Sequence, residues 1–480
     1  MGRSADGTPG GAADGTADGG AGGPVPPQRR PVNVTDRRTV RRAVFASALG
    51  NATEWYDFGV YSYLAATIGH LFYPTASAGG QLIATFTTFA AAFLIRPVGG
   101  LFFGPLGDRI GRKRVLAITM LMMALGTFSI GLLPVYDAVG ILAPVLLLLA
   151  RMVQGFSTGG EYGGATTFIG EYAPDRRRGF LSSWLEFGTV CGYAGGALVV
   201  TLLTVVLTDD QMADWGWRVP FLLALPLGAV GLYIRLRLED TPAFTTATDT
   251  FADASARPSP LRQIADTVRG NLGPLGLCIG LVLVFNVNNY ILTAYMPTYL
   301  TDELGYTGTH GLVITLVAMA AMLVLVTRMG RLSDRFGRRP LLMSGSVLTI
   351  AAALPAFWLL QQGRAAAFAG ALLLAVVLVH FSGVVPSSLP ALFPTKVRYA
   401  GLAIGFNVSV SLFGGTTPLM AEALVQATGN LYAPALLMLA AGAVGVLVVM
   451  RMPESAGRPL PGARPAATDR AEAERLALQH

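Results

Sequence analysis

Gly104-Pro-Leu-Gly-Asp108-Arg109-Ile-Gly111-Arg112-Lys113 and Gly330-Arg-Leu-Ser-Asp334-Arg335-Phe-Gly337-Arg338-Arg339 are two writings of one polar, glycine-punctuated motif. The first follows the second long apolar run of the chain, and the second follows the eighth. A loop repeated at matching places in two halves predicts an internal repeat. Around it, apolar runs lie near 42–68, 82–104, 115–134, 139–165, 179–207, 218–238, 271–295, 311–328, 341–360, 365–389, 400–425 and 431–451. Runs of this length let a helix cross a hydrocarbon core of about 30 Å. The expected fold is an all-α membrane protein with twelve transmembrane helices in two pseudo-symmetric six-helix bundles.

Composition agrees. Hydrophobic residues make up 52% of the 480 and charged residues 13%, against about 25% charge in an ordinary soluble domain. The net charge of +7 does not call for a nucleic-acid partner, because the basic residues sit in short loops between apolar runs. Arg109, Arg112, Lys113 and Arg114, then Arg176, Arg177 and Arg178, follow even-numbered segments, as do Arg331, Arg335, Arg338, Arg339, Lys396 and Arg398. Stretches 69–81 and 296–310 hold no Lys or Arg, and 208–217 holds Asp209, Asp210 and Asp214. The positive-inside bias therefore predicts cytoplasmic termini and an inner (plasma) membrane, multi-pass protein. Residues 1–36 read as a disordered cytoplasmic tail with no apolar run before it, so no cleaved signal peptide is expected. Residues 37–238 form the first bundle, 239–270 a polar connector, 271–452 the second bundle and 453–480 a short cytoplasmic tail. Cys191 and Cys278 fall inside apolar runs and read as small hydrophobes. The four histidines make no ligand cluster, and no metal, cofactor or phosphate-binding strand–loop–helix motif is expected.

The duplicated motif reads as gate hardware on the cytoplasmic face. Its glycines permit a tight turn and close helix approach. Asp108 and Asp334 can cap a helix N-terminus or pair with a basic neighbour. Arg112 and Arg338, with Arg109 and Arg335 beside them, can reach across the face. Gly104, Asp108, Arg109, Arg112, Asp334, Arg335 and Arg338 are the gate candidates; ordinary topology charges are the alternative. A second repeated pair supports the two-half reading: Glu171-Tyr-Ala-Pro174-Asp-Arg-Arg-Arg178-Gly179 and Leu392-Phe-Pro394-Thr-Lys-Val-Arg398-Tyr-Ala-Gly401.

Charges also lie inside the first half. A charge at mid-bilayer costs about 2.5–3.5 kcal/mol on insertion scales, so such residues face the bundle interior or one another. Glu54, Asp57, Glu161 and Glu186 are the candidate proton-coupling carboxylates, with Arg96 and Arg151 setting their charge state. Purely structural pairing, for instance of Glu161 with Arg151 or Arg96, is the alternative. Glu54 and Asp57 share one helical face, with Tyr61 a turn further on. Glu422 is the clearest acidic residue of the second half. Asn286, Asn288, Asn289 and Tyr290 interrupt the seventh segment, and amides at that depth need a wet or solute-filled cavity. With Trp55, Tyr56 and Tyr61 they offer hydrogen bonds and ring faces that suit an alkylated cation. Trp55, Tyr61, Asn289 and Tyr290 are the candidate substrate contacts; packing is the alternative for any one of them.

Glu54-Trp-Tyr-Asp57-Phe-Gly-Val-Tyr61, Arg96-Pro-Val-Gly-Gly100 and Trp215-Gly-Trp-Arg218-Val-Pro-Phe221 resemble the major facilitator superfamily, within it the metabolite:proton symporter group. The likeness extends through Gln154-Gly-Phe-Ser-Thr-Gly-Gly-Glu161-Tyr162, Thr241-Pro-Ala-Phe244, Tyr295-Met-Pro-Thr-Tyr299 and Phe393-Pro-Thr-Lys-Val-Arg-Tyr399, and covers roughly 42–460. It implies secondary active proton symport by alternating access, with H⁺ as coupling ion and no enzymatic activity. The implied cargo is a small zwitterionic compatible solute such as proline, glycine betaine or ectoine, with osmotic activation. Group members that import dicarboxylates leave a rival reading open, in which Arg96 is the anion ligand. A non-transporting membrane sensor or scaffold is a rival of another class. The resemblance departs at the C-terminus, where an osmoprotectant member of the group carries a long heptad-bearing extension. Here only Asp469-Arg-Ala-Glu-Ala-Glu-Arg-Leu-Ala and a few residues remain, too few for coiled-coil pairing. Oligomeric state is left open.

Overall fold

A computed structural model describes residues 32–110, 112–159, 161–237 and 267–479. The expected connector at 239–270 lies almost wholly outside the described residues, as does most of the 1–36 tail. In chain order the long helices are α1 (Arg37–Tyr63), α2 (Ala78–Phe103), α3 (Arg112–Leu132), α4 (Leu142–Tyr172), α5 (Asp175–Val206) and α6 (Asp209–Tyr233). They continue as α7 (Leu272–Glu303), α8 (Gly308–Phe336), α9 (Arg338–Leu360), α10 (Arg364–Leu392), α11 (Arg398–Thr428) and α12 (Ala433–Arg451). Among the described residues, ten are long and apolar enough to cross a membrane. The other two helices are α1 and α3. In α1, arginines at the start and Glu54 and Asp57 further along dilute the apolar run; α3 opens on Arg112 and Lys113, leaving the shorter apolar stretch Ala117–Leu132.

Several helices run past the apolar windows read from sequence, α4 to Tyr172, α7 to Glu303 and α8 to Phe336. This corrects the reading of the duplicated motif as a loop. Gly330 to Phe336 is the last part of α8, and Gly104 to Ile110 of the first copy are the last part of the helix Arg96–Ile110. In the second copy Gly337 leaves the helix, at φ 102°, a left-handed conformation that glycine tolerates. Its missing Cβ also leaves room for the Glu454 carboxylate.

Two seams set the helix arrangement that holds the interior charges. Gly155 of α4 lies directly against the Ala92 carbonyl of α2, where a Cβ would overlap it. Gly188 and Gly192 of α5 lie in the same way against the Ala48 and Ala52 carbonyls of α1. Small residues let backbones approach this closely, the usual packing device inside lipid. The two halves meet where α5 packs on α8 and α2 packs on α11.

The internal repeat is visible in atomic detail. Arg178 Nε donates to the Gly170 carbonyl at 2.9 Å, and Arg398 Nε donates to the Pro390 carbonyl at 3.1 Å, each eight residues back. Each buried arginine thus ties the start of one helix to the end of the helix before it. The C-terminal segment lies over the same face. Arg178 Nη1 donates to the Arg458 carbonyl at 3.0 Å, and Arg398 Nη2 to the Pro461 carbonyl at 2.7 Å. Further on, strand β2 (Ala466–Ala467) pairs in parallel with β1 (Asn33–Val34), so these two stretches lie on the same face. The helix α13 (Arg470–Gln479) closes the chain.

Candidate functional site

Glu54, Asp57, Arg96, Arg151 and Glu186 are all buried, as the cost of charge inside lipid requires. Arg96 Nη2 donates to Glu54 Oε1 at 2.8 Å, joining α1 and α2. Asp57 takes a different partner: the Thr127 hydroxyl of α3 contacts its Oδ2 at 2.8 Å. Gln154 Nε2 donates to Thr127 Oγ1 at 2.8 Å, and Arg151 Nη1 donates to Gln154 Oε1. Arg151 therefore reaches Asp57 through two neutral side chains. The carboxylates that share a helical face in sequence are thus divided between two arginines. Glu186 of α5 accepts from the Tyr162 hydroxyl at 2.6 Å. The side chain of Glu161, expected among the carboxylates or paired with Arg151 or Arg96, lies outside the described ones.

Aromatic rings enclose both guanidiniums. Arg151 sits 4.0 Å from the Tyr61 ring centroid and 5.3 Å from Phe89. Arg96 lies 5.9 Å from Trp55 and 5.5 Å from Phe93. Phe58 separates the two cations, 5.8 Å from Arg96 and 5.1 Å from Arg151. Such contacts are worth about 0.5–2 kcal/mol each when desolvated, and they offset part of the cost of two buried cations.

The expected substrate contacts are brought together in part. Trp55 lies 6.0 Å from Tyr290 and 5.4 Å from Tyr193, and Phe93 lies 5.4 Å from Tyr290, so rings from α1, α2, α5 and α7 converge. Among the described residues the Tyr290 hydroxyl, Asn286 Nδ2 and Asn288 Oδ1 are buried without a hydrogen-bond partner. Polar atoms left so are expensive unless a water or solute meets them. Asn289 is buried beside them. Tyr61 is less available: its hydroxyl donates to the Thr85 carbonyl at 3.1 Å and its face lies under Arg151. Tyr56 donates to the Pro220 carbonyl at 3.0 Å and packs toward α6. Sequence reasoning assigned no role to Tyr193, Phe93, Thr127 or Gln154. Gln154 stood in a quoted stretch, but nothing in the sequence marks the others.

On the gate face, Asp334 does cap a helix N-terminus, and that helix belongs to the other half. Its carboxylate accepts from the backbone N–H of Gly179 at 2.7 Å and of Phe180 at 2.8 Å, at the start of α5. Arg338 does not reach across the face. It is fully buried, with Nη1 donating to the Ser455 hydroxyl at 2.8 Å and carbonyl at 3.1 Å in the C-terminal segment. Asp334 stands 3.9 Å from Arg338 Nη2. Among the described residues an ion pair does cross between the halves, Arg398 Nη1 to Glu171 Oε1 at 2.6 Å, between the two repeated turns. Arg335 lies over the Phe336 ring, 5.3 Å from its centroid. The side chains at 104, 108, 109 and 112 lie outside the described ones. Glu454 shows what holds the turn after α8: burial raises its carboxyl, but backbone N–H groups of Arg338, Ala456, Arg339 and Ser455 outweigh that and hold it below the ordinary 4.5.

A polytopic helical protein whose interior holds buried charges lined by rings has the build of a membrane transporter, and the comparisons agree. The model for "Sugar (and other) transporter" matches residues 43–465. The proline/betaine transporter of Escherichia coli K12 is 47% identical over 94% of this chain and 91% of its own length. The glycine betaine/proline/ectoine/pipecolic acid transporter of Dickeya dadantii is 47% identical over 94% and 90%. The ectoine/proline transporter of Corynebacterium glutamicum is 41% identical over 92% and 90%. Among solved structures, the major facilitator superfamily proton:xylose symporter bound to 6-bromo-6-deoxy-D-glucose matches with a TM-score of 0.70, at 18% identity and over 92% of this chain and 99% of its own. That likeness fixes the fold.

The chain belongs to the sugar (and other) transporter family and, within it, is related to bacterial proline/betaine transporters. It is a multi-pass membrane transporter and not an enzyme. Among the described residues no group of His, Cys, Asp and Glu is placed to hold a metal ion.

Proposed function

We propose that this chain imports small zwitterionic compatible solutes of the proline, glycine betaine and ectoine type together with protons, and that it does so by alternating access. The observation that carries the reading is the 41–47% identity, over more than nine-tenths of the chain, to transporters named for those solutes. The convergence of Trp55, Tyr193, Tyr290 and Phe93 beside a buried Arg96–Glu54 pair supports it, since rings suit an alkylated ammonium and a guanidinium suits a carboxylate.

In this proposal α1 and α3 join the ten other spans to give twelve crossings in two bundles, 37–238 and 271–452, linked by a cytoplasmic connector. Both termini face the cytoplasm of a bacterial inner membrane. The solute binds near the midplane between the halves, against Trp55, Asn289 and Tyr290. Glu54, Asp57, Glu161 and Glu186 include the proton carriers, with Arg96 and Arg151 as their counter-charges. Asp334 and the Arg398–Glu171 pair hold the cytoplasmic face closed while the outer side is open. Rocking of one half against the other breaks them and releases solute and proton inward.

The test is competition uptake of labelled proline by betaine, ectoine and a dicarboxylate at two external osmolalities. The reading expects the zwitterions to compete and uptake to rise with osmolality. Preferential competition by the dicarboxylate would replace it with the carboxylate-importer reading.

A further inference from the structure

We propose that Tyr162 is a lever between a buried acid and the seam that joins the two halves: its hydroxyl is held by the Glu186 carboxylate, its ring closes on Phe406 of the other half, and neutralising Glu186 releases the ring. The inference rests on the proton-coupled alternating-access reading and adds how a proton taken up inside the first half opens the cytoplasmic side.

Tyr162 is buried in α4 and makes two contacts at once. Its hydroxyl donates to Glu186 Oε1 of α5 at 2.6 Å, inside the first half. Its ring lies flat on Phe406 of α11, centroids 3.8 Å apart and planes 7° from parallel, across the boundary between the halves. Paired rings prefer an offset or edge-on arrangement with centroids about 4.5–7 Å apart, so a centred stack this close is kept in register by its surroundings. Two hydrogen bonds keep it. The Glu186 carboxylate fixes Tyr162, and next to Phe406 the Asn407 Nδ2 donates to the Gly159 carbonyl of α4 at 2.6 Å. Gly163 completes the seam, since a Cβ there would meet the Ala403 backbone of α11 at 3.3 Å. The Arg398–Glu171 pair joins the ends of the same two helices, so the stack belongs to the face that Asp334 also closes.

Glu186 can switch because no counter-charge fixes it. It is buried, and among the described residues no cation pairs with it. The groups that face it are Tyr162 from α4, Thr189 and Tyr193 on its own helix, and Tyr290 from α7. Arg96 and Glu54 lie near the same two tyrosines 193 and 290, and Cys278 of α7 lies near Tyr162. A hydrogen bond to a carboxylate is about twice as strong as one between neutral groups. Proton uptake by Glu186 from the outer side therefore weakens the hold on Tyr162, the stack relaxes toward its preferred offset, and α4 parts from α11. When the proton leaves to the cytoplasm, the carboxylate draws the hydroxyl back and the seam closes. Tyr162 carries no proton across; it is a positioning residue.

The reporter is Ser333→Cys in purified full-length protein in lipid nanodiscs, with both native cysteines replaced (Cys191→Ala, Cys278→Ala). Ser333 is fully buried where α8 meets Gly179 of α5, on the second seam between the halves. Its alkylation rate at neutral pH is expected to rise about fivefold with Glu186→Gln, which stands in for the protonated acid, and at least as much with Tyr162→Phe. Adding Glu186→Gln to Tyr162→Phe, or to Phe406→Leu, is expected to change nothing further. Dividing the rate of the reporter protein by that of its Glu186→Gln variant at each pH cancels the ionisation of the thiol. This ratio is expected to climb to one as pH falls. The inference is overturned if Glu186→Gln leaves the rate unchanged, if its effect persists beside Tyr162→Phe or Phe406→Leu, or if the ratio is flat across pH. Uptake of labelled betaine into proteoliposomes is measured in parallel. Protein that shows these couplings but carries no betaine would sink the importer reading and leave the lever standing, whereas protein that carries betaine without them would overturn the lever alone.

Discussion

Replacing Asp334 tests whether the duplicated motif is a gate or a set of topology charges. Both carboxylate oxygens are used: Gly179 N–H lies 2.7 Å from Oδ1 and Phe180 N–H 2.8 Å from Oδ2, across the boundary between the halves. Losing a helix cap costs about 0.5–2 kcal/mol, and bonds to a charged acceptor lie toward the upper end. When the face opens these N–H groups regain water, so Asp334→Ala penalises only the closed state, by about 1–2 kcal/mol. That shifts the open-to-closed ratio about 5- to 30-fold. Asp334→Asn keeps one acceptor oxygen and should shift it by about half as much in free energy. The reporter is Ser183→Cys, in a background with Cys191→Ala. Ser183 is fully buried where α5 meets Gly330 of α8, so a thiol there is reached only when the halves part. Cytoplasmic-side alkylation of that thiol should speed up in the order wild type, Asp334→Asn, Asp334→Ala. Equal rates in all three would refute the gate role, and slower labelling in Asp334→Ala would reverse it.

Other consequences follow from the same face. Glu454 is held below its ordinary 4.5, so the stability it adds is present at neutral pH and is lost as pH falls through its depressed value. Glu454→Gln should therefore lower the thermal midpoint at neutral pH by an amount that vanishes in acid, read from unfolding scans at several pH values; a pH-independent loss would contradict it. Glu171→Gln should cost less than about 1 kcal/mol, because its side chain is 40% exposed. Arg398→Ala should cost several times more, since Arg398 is fully buried and also donates to the Pro390, Phe393 and Pro461 carbonyls; comparable midpoints for the two variants would be the wrong outcome. Gly155→Leu should force α4 off α2 and abolish the folded yield in detergent, while Gly308→Ala, where a Cβ meets nothing, should leave it intact.

The positions of the interior charges were legible in the sequence because burial inside lipid leaves them few places to go. Their partners were not. Glu54 and Asp57 share a helical face by spacing, yet α2 supplies Arg96 to one and α3 supplies Thr127 to the other, and spacing along α1 carries no information about either neighbour. Tyr193 and Phe93 stayed hidden for the same reason: they stand in apolar helices, where most aromatic residues serve packing. The gate motif was found by its repetition but misread as a loop, since Gly, Ser, Asp and Arg at the polar end of a helix look like a turn. The two arginine-bearing turns were recognised as repeats, whereas the Arg398–Glu171 bond between them is a contact 227 residues apart in the chain.

Solute and proton cross together in the proposed cycle. Purified protein in sealed proteoliposomes, given labelled glycine betaine and an inside-alkaline pH gradient, should accumulate betaine above equilibrium, and collapse of the gradient should release it. Equilibration with no accumulation under the gradient would contradict the account.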